Sequence, residues 1–133
     1  MATLEEIARA ATAADVVESA AIFVLRPDSP DLQLAAAAGI AGPPLDGLKA
    51  AVLNPAHPIT KSLTDDGPTF DVHPMNAGGP ALRSHLPLMA DRDGGRQALG
   101  VLAVAHDRSL SSVERRTLVD LAGQAAKAIA GGG

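Results

Sequence analysis

Cysteine is absent from this chain. That one absence removes disulfides, thiolate zinc sites, cysteine nucleophiles and thioether-linked cofactors together. Tyr and Trp are missing as well, which leaves Phe23 and Phe70 as the whole aromatic complement. A pocket that grips flat rings by stacking is normally better supplied. Basic clusters are missing too: the formal net charge is −4, and Lys and Arg nowhere gather into the positive footprint of nucleic-acid binding. No apolar run reaches the length of a membrane span, and Glu5 and Glu6 stand where a secretory signal carries basic residues. A cytoplasmic protein is therefore expected, with neither nucleic acid nor membrane as a partner.

What is present is globular in composition. At 133 residues the chain suits one domain, 1–133, long enough to bury a core without staples. The last third is the best specified. Leu86 and Leu88 alternate with His85, Pro87 and Met89, as a strand with two unlike faces should. Pro87 has no N–H for a ladder, which predicts a bulge or a break in pairing there. Asp93-Gly94-Gly95 supplies positive-φ positions for a tight turn. The return run from Leu99 to His106 is almost wholly apolar, with Gly100, Ala103 and Ala105 among larger residues. Such a run between turn signals predicts a central strand covered on both faces.

A helix follows. Ser111 and Glu114 stand at capping-box spacing, Leu118, Leu121, Ala122, Ala125 and Ile129 form one stripe, and glycines 131–133 stop it. Thr3 and Glu6 repeat the capping-box spacing, which places a first helix at residues 3–14 with a thin, alanine-rich face. Between these helices, Ala20 to Arg26 and Leu32 to Ala38 read as an antiparallel pair, and Leu45 to Leu53 as a short helix. His57 to Leu63 reads as another short helix and Thr69 to Val72 as a strand, followed by the irregular stretch 74–80.

Helix, hairpin, helical crossover, strand, loop, hairpin, helix is an order that resembles the GAF domain. The residues carrying the resemblance are Arg83-Ser84 leading to Pro87-Leu88, Gly94, then Leu99-Gly100-Val101-Leu102, Leu118, Leu121-Ala122 and Ala125-Ala126. His57-Pro58-Ile59 with Gly67-Pro68 is similar to the family's middle segment. The resemblance implies an α+β fold, PAS-related. In it, a central antiparallel sheet carries the N- and C-terminal helices on one face and a pocket under short helices and loops on the other. It implies a sensory or regulatory module that binds a small ligand non-covalently, signals through its terminal helices to an output domain or protein, and dimerises through helices 3–14 and 112–130. The alternative it leaves is a dimerisation or interaction domain with a degenerate, ligand-free pocket.

Departures from the family pattern narrow the chemistry. Without cysteine, covalent bilin attachment and the thiol chemistry of the free methionine sulfoxide reductases are both impossible. The cyclic-nucleotide signature is missing, since Asn54 and Asn76 precede Pro55 and Ala77. The short, glycine-rich segment before Arg83 predicts a pocket that is either open or small. An enzyme is not expected.

The pocket candidates are Asp71, His73, Arg83, His85 and His57. Asp71 and His73, two apart on a predicted strand, would share a face, and with His85 they form a weak alternative metal set; no metal is favoured. Arg83 has two readings: a planar clamp for a carboxylate or phosphate, or a structural partner of Asp71 or another acid. Ser84 reads as a hydrogen-bonding strand residue, with no histidine marked by context as its base. His106 and Asp107 open the turn into the last helix.

Overall fold

The apolar return run becomes the middle of the sheet. In a computed structural model, which describes residues 3–13, 16–25, 31–54, 56–64, 67–72, 82–92 and 95–131, five strands form one antiparallel sheet. They are β1 (Val17–Leu25), β2 (Leu32–Ala38), β3 (Thr69–Val72), β4 (Leu82–Arg92) and β5 (Gly95–His106), in the spatial order β2-β1-β5-β4-β3. β5 pairs with β1 on one side and β4 on the other, and every residue from Leu99 to His106 is buried. The two residues joining β4 to β5 lie outside the described set, as does the stretch 74–80. Pro87 keeps its place opposite Val101, and the register shifts one residue later, between Leu88 and Met89. The expected irregularity is real but displaced, because the strand can continue past a missing donor and relax at the next pair.

Helices α1 (Leu4–Thr12) and α4 (Ser112–Gly131) cover one face. Both begin as the spacing predicts. Thr3 and Glu6 close a capping box on α1, and Ser111 and Glu114 exchange bonds of 2.8 and 3.2 Å at the start of α4. Ile7, Ala8 and Ala11 of α1 meet Leu118, Leu121, Ala122, Ala125 and Ala126 of α4 over Ala20, Ile22, Leu86, Leu88, Leu102 and Val104 of the sheet. The small side chains let both helices sit close to the strands.

On the opposite face lie α2 (Pro43–Ala51), α3 (Pro58–Lys61) and a 3-10 turn, Ser62–Thr64. Proline at the first turn of each short helix supplies the fixed φ and needs no donor. A smaller core forms here from Phe23, Leu32, Val52, Ile59 and Val101. No residue of α2 is fully buried. Gly39 and Gly42, before it, have φ of +76° and +65°, and at Gly39 a Cβ would run into the Glu18 carbonyl.

Candidate functional site

Register across three strands builds the site. Ser19 of β1, Ala105 of β5 and Arg83 of β4 form one row on the face away from α1 and α4. Ala21, Ala103 and His85 form the next, and Phe23, Val101 and Pro87 the third. The third row is large and buried, and it joins Leu32, Val52 and Ile59 in a filled core. The first two rows carry alanines where the third carries Phe23 and Val101. Side chains that short cannot reach the helix above them, so a cleft of about 510 Å³ remains. That volume lies within the usual range for small-molecule sites. Ile40, Pro44, Leu48, Ala51 and Ile59 roof it.

The sequence candidates divide between the two faces. Arg83 and His85 line the cleft. His57 does not; it caps α3, its Nδ1 accepting the Ile59 N–H at 3.2 Å, and partial burial holds its pKa below the ordinary histidine value. His73 lies outside the described residues. Asp71 has φ of 59°, a left-handed conformation that aspartate tolerates better than most residues. It falls at an irregularity in β3, between the paired residues Thr69 and Val72. Its carboxylate accepts from the Leu110 N–H at 3.1 Å and from Arg115 of α4 at 2.6 Å. Arg115 also lies 4.9 Å from the centre of the Phe70 ring.

Asp71 is thus committed to the α4 side, and the expected Arg83–Asp71 pairing gives way to Asp71–Arg115. Period-two alternation fails at Asp71 because the strand is irregular there. Among the described residues, no three His, Asp or Glu side chains gather as a metal site.

One cluster escaped sequence reasoning. Ser84 and His106 are both fully buried, with Ser84 Oγ 2.8 Å from His106 Nε2. His106 Nδ1 lies 2.7 Å from the Arg108 carbonyl oxygen. A carbonyl only accepts, so Nδ1 carries the proton and Nε2 accepts from the Ser84 hydroxyl. Ser84 Oγ in turn accepts the Asp71 N–H at 3.1 Å. The serine therefore does have an imidazole partner, but the pair is sealed from solvent and ties β3, β4, β5 and the start of α4 together. Nothing near His106 in the sequence announces its pairing with Ser84, which lies 22 positions away. Missed as well were Ser19, Ala21, Ala103 and Ala105, although the alternating small residues of β5 were a visible signal.

At the margin of the cleft, a hydrogen bond to Asp107 raises the pKa of exposed Glu18, desolvation and repulsion from the same carboxylate add to the rise, and the Arg83 guanidinium opposes it.

No family model matches the chain, and no curated protein matches it. Solved structures do. The GAF domain of an Acinetobacter phosphoenolpyruvate-protein phosphotransferase aligns with a TM-score of 0.73 at 17% identity, over 98% of this chain and 84% of that one. The second GAF domain of DevS from Mycobacterium smegmatis aligns with a TM-score of 0.69 at 18% identity, over 97% and 91%. A type II free methionine-R-sulfoxide reductase from Thermoplasma acidophilum aligns at 0.64 and 14% identity, over 98% and 96%. The chain has the GAF fold. No helix among the described residues is long and apolar enough to cross a membrane.

Proposed function

We propose that this GAF-fold chain is a sensory module. A small molecule held non-covalently in the cleft changes how α1 and α4 are held, and the change passes through those helices to an output domain or partner protein. The cleft carries the reading. Its two alanine rows leave room for a ligand beside an otherwise filled core. The route outward is short. Arg83 and His85 line the cleft, while Ser84, between them on the same strand, belongs to the network that holds Asp71, Leu110 and Arg115. A ligand can act along it only by binding one arrangement of α4 better than another.

Dimerisation through the terminal helices is part of the proposal. Their alanine stripes are used within the chain, so the pairing surface is the outer side of α4, where Val113 and Val119 are exposed. The module is a binder rather than an enzyme in this reading, since its one serine–histidine pair among the described residues is beyond the reach of substrate.

Native mass spectrometry of freshly purified protein, beside a denatured control and a metal analysis, tests the reading when run on the parent chain and on Ala103→Leu. The expected result is extra mass that disappears on denaturation and is missing from the variant, whose longer side chain occupies the cleft. The same extra mass on both native proteins counts against a cleft ligand.

A further inference from the structure

The cleft is chemically one-sided. Of the described residues lining it, Ser19, Arg83 and His85 are polar or charged, and the others are aliphatic, proline or glycine. Two of the three lie in one register row. Ser19 and Arg83 flank Ala105 from either side, two strand spacings apart, which is about 9.6 Å. Because Ala105 is so short, a group seated over it can meet the serine hydroxyl and the guanidinium together. The next row offers Ala21 and Ala103 with His85 at its edge, and above them stand Leu48, Ala51 and Ile59. The third row, with buried Phe23, closes that end. No Phe, Tyr or Trp lines the cleft itself.

We propose that the cleft takes a small aliphatic molecule with one anionic head, a carboxylate or a phosphate, seated over Ala105 between Arg83 and Ser19. This rests on the cleft being the sensory site and adds the class of ligand. A planar guanidinium presents parallel donors to an oxyanion, and a hydroxyl supplies a further one. The alkyl body then covers Ala21 and Ala103 beneath Leu48 and Ala51. Flat aromatic or nucleobase ligands are disfavoured, because no Phe, Tyr or Trp is present to stack on them. Of the partners read for Arg83 from the sequence, Asp71 or another acid, Asp71 pairs instead with Arg115 on the far face, and Arg83 Nη1 donates to the Leu82 carbonyl at 3.1 Å. Glu18 is an acid that feels the Arg83 charge. It is exposed, and attraction between exposed charges is weak enough for a better-placed anion to outcompete.

Amide-resolved NMR titrations of the full chain test this with hexanoate, hexyl phosphate and the neutral hexanamide, in the parent protein, Arg83→Gln, Arg83→Lys and Ala103→Leu. The same spectra report whether each variant is folded. Either anion is expected to shift cleft amides saturably and to bind at least about tenfold more tightly than hexanamide, the scale of a charge-assisted hydrogen bond. Arg83→Gln should abolish that preference, Arg83→Lys should retain part of it, and Ala103→Leu should abolish all binding. The tighter of the two anions identifies the head group. Equal binding of hexanoate and hexanamide, unchanged in Arg83→Gln but lost in Ala103→Leu, overturns the anionic class and leaves the cleft standing. Binding that survives Ala103→Leu overturns the cleft itself, and no saturable shift by either anion overturns the assignment.

Discussion

Ser84 has one hydroxyl and two demands on it. It accepts the part-buried Asp71 N–H and donates to the fully buried His106 Nε2. Ser84→Ala leaves both partners unsatisfied, and the expected loss is about 3 kcal/mol in urea unfolding. A loss below about 0.5 kcal/mol, the scale of an ordinary surface change, would mean the network does not hold the strands. Gly100 makes a different demand, since a Cβ there would run into the Phe23 carbonyl across the strand pair. Gly100→Ala should cost about 2 kcal/mol by forcing β1 and β5 apart, and a neutral melt would contradict that close approach. At this scale the sequence is an uneven guide. It marked Gly100 as a small residue in an apolar run, but Ser84 and His106 acquire their roles only through pairing across the sheet.

At the scale of elements, the helix starts were legible because a cap is a local device. Ser111 and Glu114, three apart, are visible as text and close as a capping box. Ser111→Ala should cost about 1 kcal/mol, measured by the same unfolding curves. The bond from the Ser111 backbone, followed by that from Arg108, depresses the Glu114 pKa. Its contribution is therefore full above the ordinary carboxylate value and fades as the pH falls through the lowered one. Burial likewise lowers His57, whose neutral ring caps α3. Stability from that cap is full above the ordinary histidine value near 6.5 and is lost as the pH falls through the depressed folded value. His57→Asn keeps an acceptor at the cap without a titrating ring. It should flatten that part of the curve below the ordinary histidine value, and an unchanged slope would place the titration elsewhere. Asp71 was not legible at this scale: β3 is irregular there, and its carboxylate goes to Leu110 and Arg115 at the start of α4.

For the whole molecule, the sheet and the layer of terminal helices came from the resemblance that the order of elements carries, whereas the central strand was legible from its apolar run alone, because such a run must be covered on both faces. A cleft is another matter. It exists where Ala21, Ala103 and Ala105 fail to fill space that Phe23 and Val101 fill one row further on. Such a space is set by register between distant strands, so no local pattern records it.

The absence of cysteine provides a direct handle on the central claim, that occupancy of the cleft is felt at α4. A single Ala103→Cys gives the chain one thiol, and coupling it to a hexyl thiosulfonate places an alkyl group in the cleft without knowledge of the natural ligand. Hydrogen exchange at the start of α4, from Leu110 to Arg115, would then be compared with and without the label. The account predicts a change in protection there, and loss of that change when Ser84→Ala is added. A change confined to α2 and the strands beneath it, with α4 unaltered, would contradict it.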